Sequence, residues 1–125
     1  MRLSDLVKIY NLHDSSLEDI HYFPDNHKLI IDLTLCNWRQ SFYKEGEPEV
    51  VLGRLVFTGV SFYSLQSKHV NLGQNEILNA IVSNSTEDVN TEKLRITFIY
   101  ININQKINEA ENIEIEAEDV IWENL

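Results

Sequence analysis

With 125 residues, 43% of them hydrophobic, and with 2 Trp, 5 Tyr and 5 Phe, the chain has the length of one domain with its own core, residues 1–125, and is too apolar to be disordered. A net charge of −10, from 20 acidic and 10 basic residues, argues against nucleic acid and anionic membrane surfaces as partners and permits a basic protein. The single cysteine, Cys36, excludes an internal disulfide.

The opening MRLSDLVKIY carries Asp5 and Lys8 and no continuous apolar run, which is not the pattern of a signal peptide. No segment approaches the roughly 18 apolar residues of a membrane span. The expected compartment is the reduced cytoplasm. Residues 3–11 place Leu3, Leu6, Val7 and Tyr10 at helical spacing, which predicts an amphipathic helix with Ser4 as a candidate N-cap.

Residues 12–35 organise the rest of the chain. The run Leu12-His13-Asp14-Ser15-Ser16 reads as a hydrogen-bonded entry turn. Residues 17–23 predict a strand, but Leu17 and Ile20 cannot share a face of a flat strand, so a bulge is expected. Pro24-Asp25-Asn26 is turn chemistry. In the next strand Leu29, Ile31, Leu33 and Leu35 share one face, with Asp32 and Thr34 on the other. Cys36 at its end reads as a small buried side chain.

Residues 37–48 end in a loop and gather Trp38, Arg39, Phe42 and Tyr43. Trp, Tyr and Arg are the side chains that dominate binding surfaces. The favoured reading nevertheless packs Trp38 on the core or its edge as the strand continues. Residues 49–59 read as a strand apolar on both faces, hence central and covered on both sides, with Arg54 in need of a partner and Gly53 marking a bulge or a close approach. Val60, Tyr63 and Ser64 have helical spacing.

Here the chain resembles known proteins. Leu12-His13-Asp14-Ser15, Ile20 and the Leu29-x-Ile31-x-Leu33-x-Leu35 strand are similar to an opening shared by small bacterial β-rich families, some of them immunity-type proteins linked to polymorphic toxins. The phrase Phe57-x-Gly59-Val60 is similar to their second shared block. The resemblance covers about half the chain. It implies a compact β-fold and protein binding, and it implies no catalytic residue.

Residues 67–73 are a polar connection. Residues 76–82 fit a short helix or a strand, and 83–91 form a polar loop. Residues 93–103 predict the longest strand, with Leu94, Ile96, Phe98 and Tyr100 on one face. Residues 112–122 predict a final strand with Ile113, Ile115 and Ala117 inward and Glu114, Glu116 and Glu118 outward. The two should pair, with Lys93 or Arg95 facing the glutamates. The expected fold is mainly β (α+β): a twisted antiparallel sheet, sandwich or half-barrel, with the N-terminal helix and room for one further short helix.

His13-Asp14, joined by His21, His27 or His69, has the residue types of a metal site but none of the ligand spacings, so no metal or cofactor is expected and the pair reads as structural. Asp14, Ser15 or Ser16 and His13 have the residue types of a triad without a nucleophile elbow, so no catalytic residue is assigned. The favoured function is a non-enzymatic protein-binding domain, an immunity-type inhibitor of a basic partner. Its candidate contacts are Glu114, Glu116, Glu118, Trp38, Arg39 and Tyr43. The alternatives are a small-ligand-binding β domain and a metal-dependent enzyme using His13 and Asp14. Oligomeric state is left open.

Overall fold

The computed structural model describes residues 1–66, 72–85, 89–101 and 110–125. His69, most of the polar connection 67–73, part of the polar loop 83–91 and the end of the expected strand 93–103 lie outside these residues. The elements are α1 (Leu3–Ile9), β1 (Ser16–Phe23), β2 (Lys28–Cys36), β3 (Val50–Thr58), β4 (Phe62–Gln66), β5 (Asn75–Asn84), β6 (Glu92–Tyr100), β7 (Ala110–Ala117) and β8 (Asp119–Asn124). They form two four-stranded antiparallel sheets, ordered β1-β2-β3-β8 and β4-β7-β6-β5.

The period-two pattern decides which faces meet. Leu29, Ile31, Leu33, Leu55, Phe57 and Val120 of the first sheet share one buried core with Ile77, Leu94, Ile96, Phe98, Ile113 and Ile115 of the second. Side chains alternate across each strand, so one face of each sheet turns inward and the result is a sandwich rather than a half-barrel. Helix α1 buries Leu3 and Leu6 into the same core. It begins two residues earlier than Ser4 would allow: Arg2 is the N-cap, and its N–H donates to the Asp5 carboxylate at 3.1 Å. Ser4 instead donates through its N–H and hydroxyl to Glu92, tying the helix to β6.

The expected bulge is present in β1, where the register shifts between Leu17 and Asp19 and Glu18 is the extra residue. Arg54 finds its partner across the β2–β3 ladder, donating through Nε to Asp32 at 2.7 Å. Gly53 is a close approach: a Cβ there would fall on the Trp122 indole.

Two open readings are resolved and other expectations are corrected. The segment with helical spacing after Gly59 is strand β4, because its residues pair with β7 from Phe62↔Glu116 to Gln66↔Asn112. The ambiguous 76–82 is strand, part of β5, bulged between Ile77 and Asn79. At ten residues β5, not the nine-residue β6, is the longest strand described. The only helical pieces beyond α1 among the described residues are 3-10 turns at Pro24–Asn26 and Asn37–Arg39. β3 is central but not covered on both sides: Val50 and Leu52 are 55% and 56% exposed.

The segment 112–122 is two strands in two sheets. β6 pairs with β7 as expected, but the chain then passes at Glu118 into β8 of the other sheet. β3 and β4 make the same crossing at Gly59, antiparallel to it. Their ladder is continuous: Glu118 N–H donates to Thr58 O at 3.2 Å and Ser61 N–H to Glu116 O at 2.9 Å. The bend needs Gly59 at φ +62°, where the Glu118 side chain lies 2.8 Å from the site of a Cβ.

Candidate functional site

The entry turn carries the densest polar network. Asp14 sits at φ 67°, a left-handed conformation that Asp tolerates. Its N–H donates to Ile77 O, and Ile77 N–H donates back to Ser15 O at 2.7 Å, so the turn is laid along the edge of β5. Buried Ser15 accepts the Cys36 N–H through its hydroxyl. Buried Gln40 donates to Asn11 O and Cys36 O and accepts the Asn11 N–H. Asn75 accepts the Leu17 N–H and donates to Leu17 O, each at 2.8 Å, capping the start of β1.

The side chains above this scaffold are ionic. Arg39 donates through Nε to Asp14 Oδ2. The His13 ring lies between two oxygens, with Nδ1 2.7 Å from Leu78 O and Nε2 3.3 Å from Asp14 Oδ1. A carbonyl only accepts, so Nδ1 carries a proton. Glu76 of β5 completes the group. A hydrogen bond from Glu76, with help from Arg39 and His13, holds the Asp14 carboxyl below its ordinary range. The same hydrogen bond, burial and the Asp14 charge push Glu76 up. Two adjacent carboxyls that share a proton behave this way.

This arrangement joins the entry turn to β5 and to the turn after β2. Asp14 is committed to Arg39, His13 and Glu76. His21 is bonded to Asp19 and His27 lies beside Val60 O, so neither joins His13. Among the described residues no three His, Cys, Asp or Glu side chains are placed to hold a metal. The Ser15 hydroxyl accepts the Cys36 N–H and that of Ser16 donates to Glu18, while both ring nitrogens of His13 face Leu78 O and Asp14, so the ring meets neither serine. Cys36 is buried as expected; burial first, and then the Asp14 charge, push its thiol up, away from the nucleophilic thiolate.

The candidate contact residues fall into two places. Trp38 and Arg39 lie on the 3-10 turn after β2, which the N–H groups of Asn37 and Trp38 fasten to Glu49 O. The turn ends the strand, so Trp38 does not pack on the core: it is 50% exposed, with the Arg39 guanidinium 4.7 Å from its ring centroid. Phe42, 47% exposed, meets Tyr10 edge-on. Tyr43 closes the following loop, donating from Oη to Glu47 O. Glu114 and Glu116 lie on β7, in the other sheet, and Glu118 at the crossing. Glu114 is paired with Lys93 at 3.5 Å and with Arg95 at 3.1 Å, as the expected β6–β7 pairing allows.

Sequence reasoning missed Glu76 and Asn75, which meet their partners because β5 lies along the entry turn, and Gln40, which the turn after β2 folds back onto Cys36 and Asn11. Clefts among the described residues are open to solvent. One, about 510 Å³, lies between Glu18, Leu72 and Gln74; another, about 380 Å³, lies between α1 and β5 beside Tyr10 and Leu78. Among the described residues no helix is long and apolar enough to cross a membrane. The chain matches no protein-family model, no curated protein and no solved structure.

Proposed function

We propose that this chain is a non-enzymatic domain that binds a basic protein, in the manner of an immunity-type inhibitor. One observation carries the reading: the Trp38–Arg39 pair stands half-exposed on a turn that backbone and Gln40 hydrogen bonds fasten to β2 and Glu49. A large aromatic side chain presented without conformational freedom is the usual anchor of a protein interface. The net charge of −10 favours a basic partner through faster association. The similarity of the His13-Asp14-Ser15 opening to immunity-type families supports the inhibitor role.

The test begins with a partner captured in the native host, purified and shown to bind one-to-one. Trp38→Ala should then weaken the complex at least about tenfold, the loss of an anchor side chain, with the melting curve of the free protein unchanged. An affinity within about twofold of the parent would remove the reading.

A further inference from the structure

The outer faces of the two sheets differ in a way that selects one for docking. On the β4-β7-β6-β5 sheet the register sets Glu116 opposite Lys93 and Glu114 opposite Arg95, and the next row is Asn112 and Thr97. Acids and bases there face one another in equal number, and Thr97 donates to Asn112 at 2.9 Å. Exposed Phe62 and Ile81 stand in the same two rows, so what sets this face apart is its matched charge and not a lack of apolar side chains.

The outer face of the β1-β2-β3-β8 sheet does not. One row across its four strands is Asp19, Asp32, Arg54 and Glu123, three carboxylates around one guanidinium. Asp19 and Asp32 are direct cross-strand neighbours, a like-charge pairing that costs stability. Arg54 spends its Nε and Nη2 on Asp32, at 2.7 and 3.3 Å, while Asp19 is met by the His21 ring at 2.8 Å and the Ile20 N–H at 2.9 Å, so the row keeps more carboxylates than guanidinium groups. The row on one side is His21, Ile30, Val56 and Ile121, with Ile121 43% exposed. On the other side stand exposed Leu52 and Val50, and Val50 pairs with Cys36, next to the Trp38 turn. No described element lies over this face.

We infer that the outer face of the β1-β2-β3-β8 sheet is the docking surface, and that it takes a basic protein segment with an apolar side, its lysines or arginines on the Asp19–Asp32–Glu123 row and its apolar side chains on Leu52 and Ile121. This rests on the protein-binding reading and names the site and the chemistry of its partner. The charge row decides against a second copy of the chain, because two such faces would bring carboxylates against carboxylates. It also decides against an uncharged apolar partner, which would bury the row's excess negative charge without a cation to offset it.

The probe is an amphipathic helical peptide of leucine and lysine, titrated into the ¹⁵N-labelled full chain at physiological salt. A serine–lysine peptide of equal charge and a leucine–glutamate peptide are the controls. Saturable amide shifts should map to Asp19, Ile30, Leu52, Arg54 and Ile121. The serine–lysine peptide should bind at least about tenfold more weakly, and the leucine–glutamate peptide should not bind. Asp19→Asn with Glu123→Gln, and separately Leu52→Ser, should each weaken binding about fivefold or more; all three positions are at the surface, and a melt confirms the fold. Glu114→Gln with Glu116→Gln should leave binding unchanged. Shifts confined to the Trp38 turn would overturn this assignment and leave the protein-binding reading standing. Shifts centred on Lys93, Arg95 and Glu114, or self-association through this face in sedimentation, would overturn it as well. No saturable binding at any face would remove both.

Discussion

Replacing Gly53 by alanine tests how the end of the core is closed. Gly53 faces inward on β3, opposite Leu33, and a Cβ added there would meet the six-membered ring of Trp122. The ring is not free to swing away. Its Nε1–H donates to Asn124 Oδ1 at 3.0 Å, and the Tyr10 ring lies 5.5 Å from it, centroid to centroid. Overpacking costs about 1–3 kcal/mol. Shifting the indole also forfeits part of an aromatic contact of about 0.5–1.5 kcal/mol. Against this stands a gain of about 0.4–1 kcal/mol from the stiffer unfolded chain. Gly53→Ala should therefore destabilise by about 2 kcal/mol. In a Trp122→Val background the space is vacant, and the same change should be neutral or stabilise by up to about 1 kcal/mol. Urea melts of the four proteins, with a constant slope, give the coupling energy of the cycle. A Gly53→Ala loss below about 0.5 kcal/mol in the parent, or an equal loss in both backgrounds, would refute the close approach.

Three further outcomes are expected. Leu33→Ala, deep between the sheets, should cost about 2–5 kcal/mol, and a loss under about 1 in the same melts would place Leu33 outside the core. The carboxyl pair makes stability depend on pH with a defined sign. The depressed Asp14 contributes stability that is lost as pH falls through its folded value, and the raised Glu76 contributes stability that is lost as pH rises through its own, so the pair helps most near the ordinary values of 3.8 and 4.5. Glu76→Gln, which keeps a donor for Asp14 without ever ionising, should match the parent near pH 4 and exceed it at pH 7; melts at the two pH values check this, and a parent that is the more stable at pH 7 defeats it. Asn75→Ala strips both backbone bonds from Leu17 and leaves them buried, at a cost of about 1–3 kcal/mol per unsatisfied group, and light scattering should show an opened β1 edge pairing between molecules.

The legible part of the fold was the part governed by local alternation. β2 and β6 each keep strict period-two patterns, and Arg54 announced a partner because a charge interrupts an otherwise apolar strand. The β7–β8 crossing left a trace that was overlooked: Ala117 and Val120 are both buried yet three positions apart, which breaks a period of two at Glu118. β4 was harder, since a five-residue strand holds too few repeats to separate a spacing of two from one of 3.6. The ionic group around Asp14 was half visible. Its His13 and Asp14 are neighbours in sequence, whereas Glu76 and Arg39 arrive through pairing of β5 with the entry turn and the end of β2. No local signal encodes that meeting. The exposure of Trp38 depended on where β2 stops, and its flanking residues are compatible with continuing the strand.

The paired crossing at Gly59 and Glu118 has a consequence for how the molecule comes apart. In many sandwiches each sheet is a separate hydrogen-bonded body, and one can loosen while the other persists. Here β3 runs into β4 and β8 is the continuation of β7, with the ladder between them unbroken around the corner. A zipper that turns a corner transmits a tear from one side to the other. Amides of Phe57 in one sheet and of Ile113 and Ile115 in the other should therefore exchange with solvent through one common opening free energy, that of the whole molecule, rather than in two classes.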